Sequence, residues 1–196
     1  MPSQQRRRSY GPSIALTKMG QISHTALRVI AANIQAMLEA PVEMLPAMAI
    51  PEEAFQRHRY QYDAGLVLKY LARFSFSHSR ILAVTDVDLC TPILTFVFGQ
   101  AELGLNLAII SDFRLKRMED GMMASEGIYY ERLAKVALHE IAHTFSLYHC
   151  ENPKCLMRIS NGLNHLDELD ILFCERCNFM LHQSMRNRQR HHSGET

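Results

Sequence analysis

Along the first two-thirds of the chain, short apolar runs alternate with stretches whose apolar residues fall at helical spacing. The runs at 14–16, 81–85, 93–98 and 107–111 are rich in β-branched and large apolar residues, as expected of strands in a covered sheet. Between them, 25–38 sets Leu27, Ile30, Ile34, Met37 and Leu38 on one side of a helix, and 64–74 reads as a second helix. A further strand is expected over 42–50, where Pro46 confines it to a sheet edge or a bulge. Alternation of the two periods predicts an α/β fold, with a mixed sheet of about five strands and helices packed against it.

The pattern changes after residue 111. Residues 112–127 are polar and irregular, which predicts a surface loop, with a cover over a neighbouring cleft as the alternative. From 129 to 145 the helical period returns, and Ala134, Ala137, Leu138, Ile141, Ala142 and Phe145 form its core stripe. The acidic cluster Asp167-Glu168-Leu169-Asp170 is expected to begin a C-terminal helix. No internal repeat interrupts this layout. It predicts one domain over 13–185, a flexible tail over 1–12 and a disordered, basic tail over 186–196, with Arg186, Arg188 and Arg190 solvated there.

Composition narrows the function classes. A chain of 196 residues fills one core, and a formal net charge of +1 implies no nucleic-acid polymer as partner. No apolar run reaches the length of a membrane span. The first twenty residues lack a signal peptide's apolar core, since Ser9-Tyr10-Gly11-Pro12 follows the three arginines Arg6 to Arg8. Four of the five cysteines fall between 150 and 177, which fits thiolates gathered on a metal better than a secreted disulfide framework. A reducing, cytoplasmic location and a monomer are expected.

The helix over 129–145 carries a second pattern beside its core stripe. His139 and His143 are four residues apart and so stand one above the other on one face, which suits two imidazoles sharing an ion. Glu140 is rotated about 100° from that stripe, close enough to reach a water on the ion without being its ligand. With ten histidines in the chain, H-E-x-x-H arises by chance about three times in a hundred, and requiring His149 as well lowers this to about two in a thousand. A continuing helix would carry His149 away, so the chain must turn sharply after about Phe145. Three neutral imidazoles leave zinc its double charge and one position open to water of pKa near 7. Glu140 would then take the proton as hydroxide attacks a polarised peptide carbonyl. Zinc-dependent peptide hydrolysis without an acyl-enzyme is therefore expected, with Cys90 a small buried residue and not a nucleophile.

A second metal pattern follows at once. Cys150 and Cys155, then Cys174 and Cys177, are two close pairs separated by a loop, as in closed tetrahedral zinc sites. Reduced buried thiols, or a redox pair at Cys174 and Cys177, are the alternatives. Cys150 directly follows His149, so a structural zinc would fix the third histidine, and two zincs per chain are expected. Met157 sits just inside the cysteine loop, where a methionine forms the Met-turn of some zinc peptidases; by itself it reads as core filler.

Taken together, His139, Glu140, His143, His149, Cys150, Cys155, Met157, Cys174 and Cys177 resemble the archaemetzincin pattern, H-E-x-x-H-x-x-G-x-x-H-C followed by C-x-M and C-x-x-C. Residues 85–89 and 96–101 are also similar to that family, so the resemblance covers about residues 80–180. It implies a single metzincin-like domain with a zinc-bound subdomain over 150–182 and peptidase activity. It further implies a strand around Phe96, Val97, Phe98 and Gly99 at the sheet edge, where a peptide substrate could add antiparallel. One position departs: Ser146 stands where the family has glycine. If the turn there is left-handed, serine costs about 1 to 2 kcal/mol.

Two other readings remain open on sequence. Glu168 could replace His149 as third ligand, as in peptidases whose last ligand is a glutamate from a later helix. Alternatively the chain could be a zinc-binding module with little or no peptidase activity, which would have no use for Glu140.

Overall fold

In the computed structural model, which describes residues 13–103 and 105–193, the chain order is β1 (Ile14–Met19), α1 (His24–Leu38), β2 (Val42–Met44), β3 (Phe55–Gln56), β4 (Gln61–Asp63), α2 (Ala64–Leu71), β5 (Arg80–Thr85), β6 (Leu89–Cys90), β7 (Gly99–Ala101), β8 (Leu107–Ser111), α3 (Glu126–Thr144), α4 (Leu163–Glu168) and α5 (Glu175–Ser193). Five strands form the main sheet in the order β2-β1-β5-β8-β7. All its pairings are parallel except that of β7 with β8. A small second sheet, β3-β4-β6, was not signalled by the hydrophobic pattern, because its strands are two or three residues long.

Strand alternation divides two cores. Ile14, Leu16, Leu82, Val84, Ala108 and Ile110 face the layer holding α1 and α3, whereas Ala15, Met19, Ile81, Ala83 and Ile109 face α2. With helices on both faces, every residue of β5 and β8 is buried, which is why these strands read as continuous apolar runs. The helices start where side chains cap them. Ser23 accepts from the Ala26 amide, Asp63 from Leu66 and Ser125 from Ile128.

Several sequence expectations are corrected. The expected strand at 42–50 stops at Met44, since Pro46 offers no amide and the Thr17 hydroxyl donates to its carbonyl. The chain still follows β1, with the Leu45 and Met48 amides bonding to Leu16 and Lys18. The helix expected to Phe74 ends at Leu71. Residues 93–98 are not a ladder strand; the edge strand is β7, starting at Gly99. Residues 112–127 are more than a surface loop, for Leu115 and Asp112 are buried and α3 already begins at Glu126. The acidic cluster does not begin the last helix. It lies across the end of α4, where Asp167 takes a bidentate ion pair from buried Arg132 of α3 at 2.5 and 2.6 Å. The last helix runs to Ser193, through most of the stretch expected to be a disordered tail. The tail expected over 1–12 lies outside the described residues.

Candidate active site and metal centres

The helix α3 delivers His139, Glu140 and His143, and then stops by a defined device. The Leu147 amide bonds to the Ala142 carbonyl and the Ser146 amide to His143, a Schellman closure with Ser146 as the residue past the cap. Ser146 has φ 67°, so the left-handed turn is real and is made by a serine. This reversal brings His149 back. The ring centroids of His139, His143 and His149 lie 4.7, 4.8 and 5.3 Å apart. One nitrogen from each falls within 4.8 Å of the others.

The ring orientations are fixed by the backbone. His139 Nδ1 is 2.7 Å from the Leu156 carbonyl and His143 Nδ1 is 2.6 Å from that of Leu147. A carbonyl can only accept, so both rings carry their proton on Nδ1, and the two Nε2 lone pairs face each other at 3.0 Å. Neither can donate to the other. Two nitrogens on one tetrahedral zinc stand about 3.3 Å apart, so this repelling pair has the spacing that a cation would satisfy. Burial lowers the pKa of all three histidines, that of His139 to about 3 with His143 adding to the effect. They are neutral at physiological pH, the form that binds metal.

Glu140 is buried, and burial pushes its carboxyl up to about 8 before any cation is counted; a dication beside it acts in the opposite sense. Its space is reserved by Gly99. A Cβ there would fall 2.6 Å from Glu140 Cγ and 2.8 Å from the Ile109 carbonyl, closer than atoms pack. Sequence reasoning had named Gly99 for the substrate edge and missed this second role, since nothing in a lone glycine points across to a helix.

A cavity of about 520 Å³ opens on these residues. Phe96, Val97, Phe98 and Gly99 line it together with Val136, His139 and Glu140 of α3 and with Leu156, Leu166 and Leu169. His149 also lines it, whereas no residue of 112–127 does, so that segment is not its cover. Glu168 is not among the grouped ligands; it ends α4, where its carbonyl accepts from Lys154.

The second cluster lies directly beside the first. The sulfurs of Cys150, Cys155, Cys174 and Cys177 fall within 4.8 Å of one another, all as free thiols. Cys150 and Cys174 Sγ are 3.8 Å apart, matching the separation of about 3.8 Å for two thiolates on a tetrahedral zinc. Burial raises Cys155 and Cys177; at Cys174 burial is outweighed by hydrogen bonds from Cys177 and the neighbouring thiols, which bring it to about 7. The Cys155 sulfur also accepts from the Met157 and Cys174 amides, and buried Met157 returns its carbonyl to the Cys150 amide at 2.8 Å.

A sheet backed by an H-E-x-x-H helix, with a turn that returns a third histidine beside a cavity, is the architecture of a zinc metallopeptidase. A sequence profile of peptidase family M54 matches residues 21–183. The archaemetzincin of Archaeoglobus fulgidus is 36% identical over 155 residues, which is 79% of this chain and 89% of its own. The crystal structure of archaemetzincin from Methanopyrus kandleri superposes with a TM-score of 0.82 at 30% identity, covering 91% of this chain and 98% of that one. That of a zinc-dependent peptidase from Methanocorpusculum labreanum gives 0.78 at 33%, over 86% and 99%. The chain belongs to peptidase family M54, the archaemetzincins. Among the described residues, no helix is long and apolar enough to cross a membrane.

Proposed function

We propose that the chain hydrolyses peptide bonds at the three-histidine centre, with Glu140 as general base and a second zinc held by the four cysteines. The observation that carries this reading is the facing pair of Nε2 lone pairs at 3.0 Å, locked by two backbone carbonyls next to a buried carboxylate on a cavity. Zinc held by His139, His143 and His149 would polarise the scissile carbonyl and acidify the attacking water.

The remaining steps belong to the chain's own residues. Glu140 takes the proton from water as the oxygen attacks the carbonyl carbon, then passes it to the departing amine nitrogen. Gly99 leaves the room that this carboxyl needs. The wall made by Phe96, Val97, Phe98 and Gly99 runs beside Glu140, and an extended peptide is received along it. Met157 supports the centre from the core through its bond to Cys150. Four free thiols in metal geometry suit a reducing, cytoplasmic compartment.

Glu140→Gln tests the reading. The variant should retain two zincs per chain by elemental analysis while kcat falls about 10²- to 10⁴-fold. Undiminished hydrolysis, or one zinc in the parent, would overturn it.

A further inference from the structure

Residues 94–98 line the cavity, yet apart from a single bridge between Val97 and Leu89 the segment 91–98 joins no ladder. Three of its carbonyls are held by side chains, while that of Phe98 accepts from the Ser111 amide of β8. Arg59 donates Nη1 to the Thr91 carbonyl at 2.9 Å and Nη2 to that of Leu94 at 2.7 Å, and Gln61 Nε2 reaches Thr95 at 2.9 Å. Gln61 is itself oriented from both ends, accepting from Arg59 Nε at 3.0 Å and donating to Asp88 Oδ2 at 2.8 Å. Asp88 is gripped by the guanidinium fork of Arg114, both bonds 2.7 Å long. That guanidinium also lies 4.2 Å from the centroid of the Phe96 ring.

These four side chains come from the turn after β3, from β4, from the turn before β6 and from the segment after β8. Charge-assisted and bidentate bonds of this kind fix geometry more firmly than neutral ones. The network is largely sheltered, with Gln61 7% exposed and the Asp88 side chain 11%. The same segment lines the cavity with Phe96, Val97 and Phe98, while Ile93 is 92% exposed and Leu94 53% exposed. Gly99, which bounds Glu140, is anchored separately by its pairing with Ile110 of β8.

We infer that Arg59, Gln61, Asp88 and Arg114 are positioning residues that preorganise residues 91–98 as the surface receiving an extended peptide with apolar side chains. A wall already ordered spares the substrate the entropy of ordering it, so the network governs substrate affinity and leaves the chemical step alone. This rests on the peptidase reading above.

The test uses the full-length, zinc-loaded chain, a fluorogenic peptide library rich in apolar residues, and a peptide hydroxamate as binding probe. Arg114→Ala should raise KM and the hydroxamate Kd at least about tenfold with kcat within about twofold, zinc content unchanged and amide exchange faster across 91–98 alone. Arg114→Lys, which keeps the charge but loses the fork, should fall between parent and alanine. Should Arg114→Ala not fold, Arg59→Ala carries the same expectation, because it leaves the Asp88–Arg114 pair intact. A fall in kcat at constant KM, or unchanged hydroxamate affinity and exchange, would overturn the inference. A parent without Glu140-dependent hydrolysis would sink the peptidase reading instead, and the binding and exchange arms would still judge the wall.

Discussion

The three-histidine and four-cysteine centres are joined by one peptide bond, between His149 and Cys150, and are built in opposite ways. The first takes two ligands from consecutive turns of α3 and a third from a left-handed turn, and it opens on the cavity. The second gathers its sulfurs from a loop and the start of α5, with backbone amides donating to Cys155, and no cysteine lines that cavity. Neutral imidazoles leave a bound dication electrophilic, whereas four thiolates quench it and fill its shell. The two nevertheless share residues 155–157: Cys155 belongs to one, the Leu156 carbonyl orients His139 of the other, and Met157 ties back to Cys150. The scaffold relation proposed for the two centres, with the cysteine cluster supporting the histidine one, rests on these shared residues.

Removing one ligand from each centre gives the largest contrast. His149→Ala should lose one zinc and all hydrolysis while remaining folded around the other. Cys155→Ser should lose the second zinc and also weaken the remaining one about 10- to 100-fold, as loss of an orienting partner does, read by competition with a chelator. Equal, independent losses would break the scaffold relation.

Acidity gives the next effect, in the metal-free chain, and the two shifts work in opposite senses. His139 is lowered from 6.5 to about 3, so the unfolded state binds the extra proton and its share of stability is lost as pH falls below 6.5. Glu140 is raised from 4.5 to about 8, so its share is present at low pH and is lost as pH climbs from 4.5 through 8. Because His143 and His149 are lowered in the same sense as His139, denaturant midpoints between about pH 4.5 and 8 should rise to a maximum near 6.5 and then fall as Glu140 ionises, and zinc should flatten the alkaline fall. A monotonic profile across that range would contradict the burial of these two groups.

The smallest effect sits at the bend itself. Ser146→Gly should stabilise the chain by about 1 kcal/mol, seen as a higher melting temperature with both zincs retained, because glycine enters φ 67° without the serine's strain. A destabilised variant would mean that serine contacts outweigh the backbone cost.

Legibility differed sharply between α3 and the cavity wall. On α3 the chemistry follows the helical period, so His139, Glu140 and His143 could be placed from spacing; His149 then demanded a turn, and the cysteines followed from the spacing of their two pairs. Buried β5 and β8 were equally plain, since a sheet covered on both faces leaves a run with no polar interruption. The wall misled for the same reason in reverse. Residues 93–98 are as β-prone as a strand, but Arg59 and Gln61 take the carbonyls a ladder would use, and the edge strand slips on to Gly99. Likewise Asp167 looked like the opening of a helix, and Arg132 made it a partner for the end of one.

By itself, then, the chain determined what is local: the capped helices, the apolar runs, the ligand types and their spacing, and the demand for a reversal after Phe145. Each depends on residues within a few positions of one another. Tertiary structure alone decided that the Leu156 carbonyl accepts from His139 and so keeps its proton on Nδ1, that Gly99 stands against Glu140, and how four side chains hold the wall. Those contacts join residues 17 to 41 positions apart in the chain, where hydrogen-bond direction and excluded volume leave no mark on the local pattern.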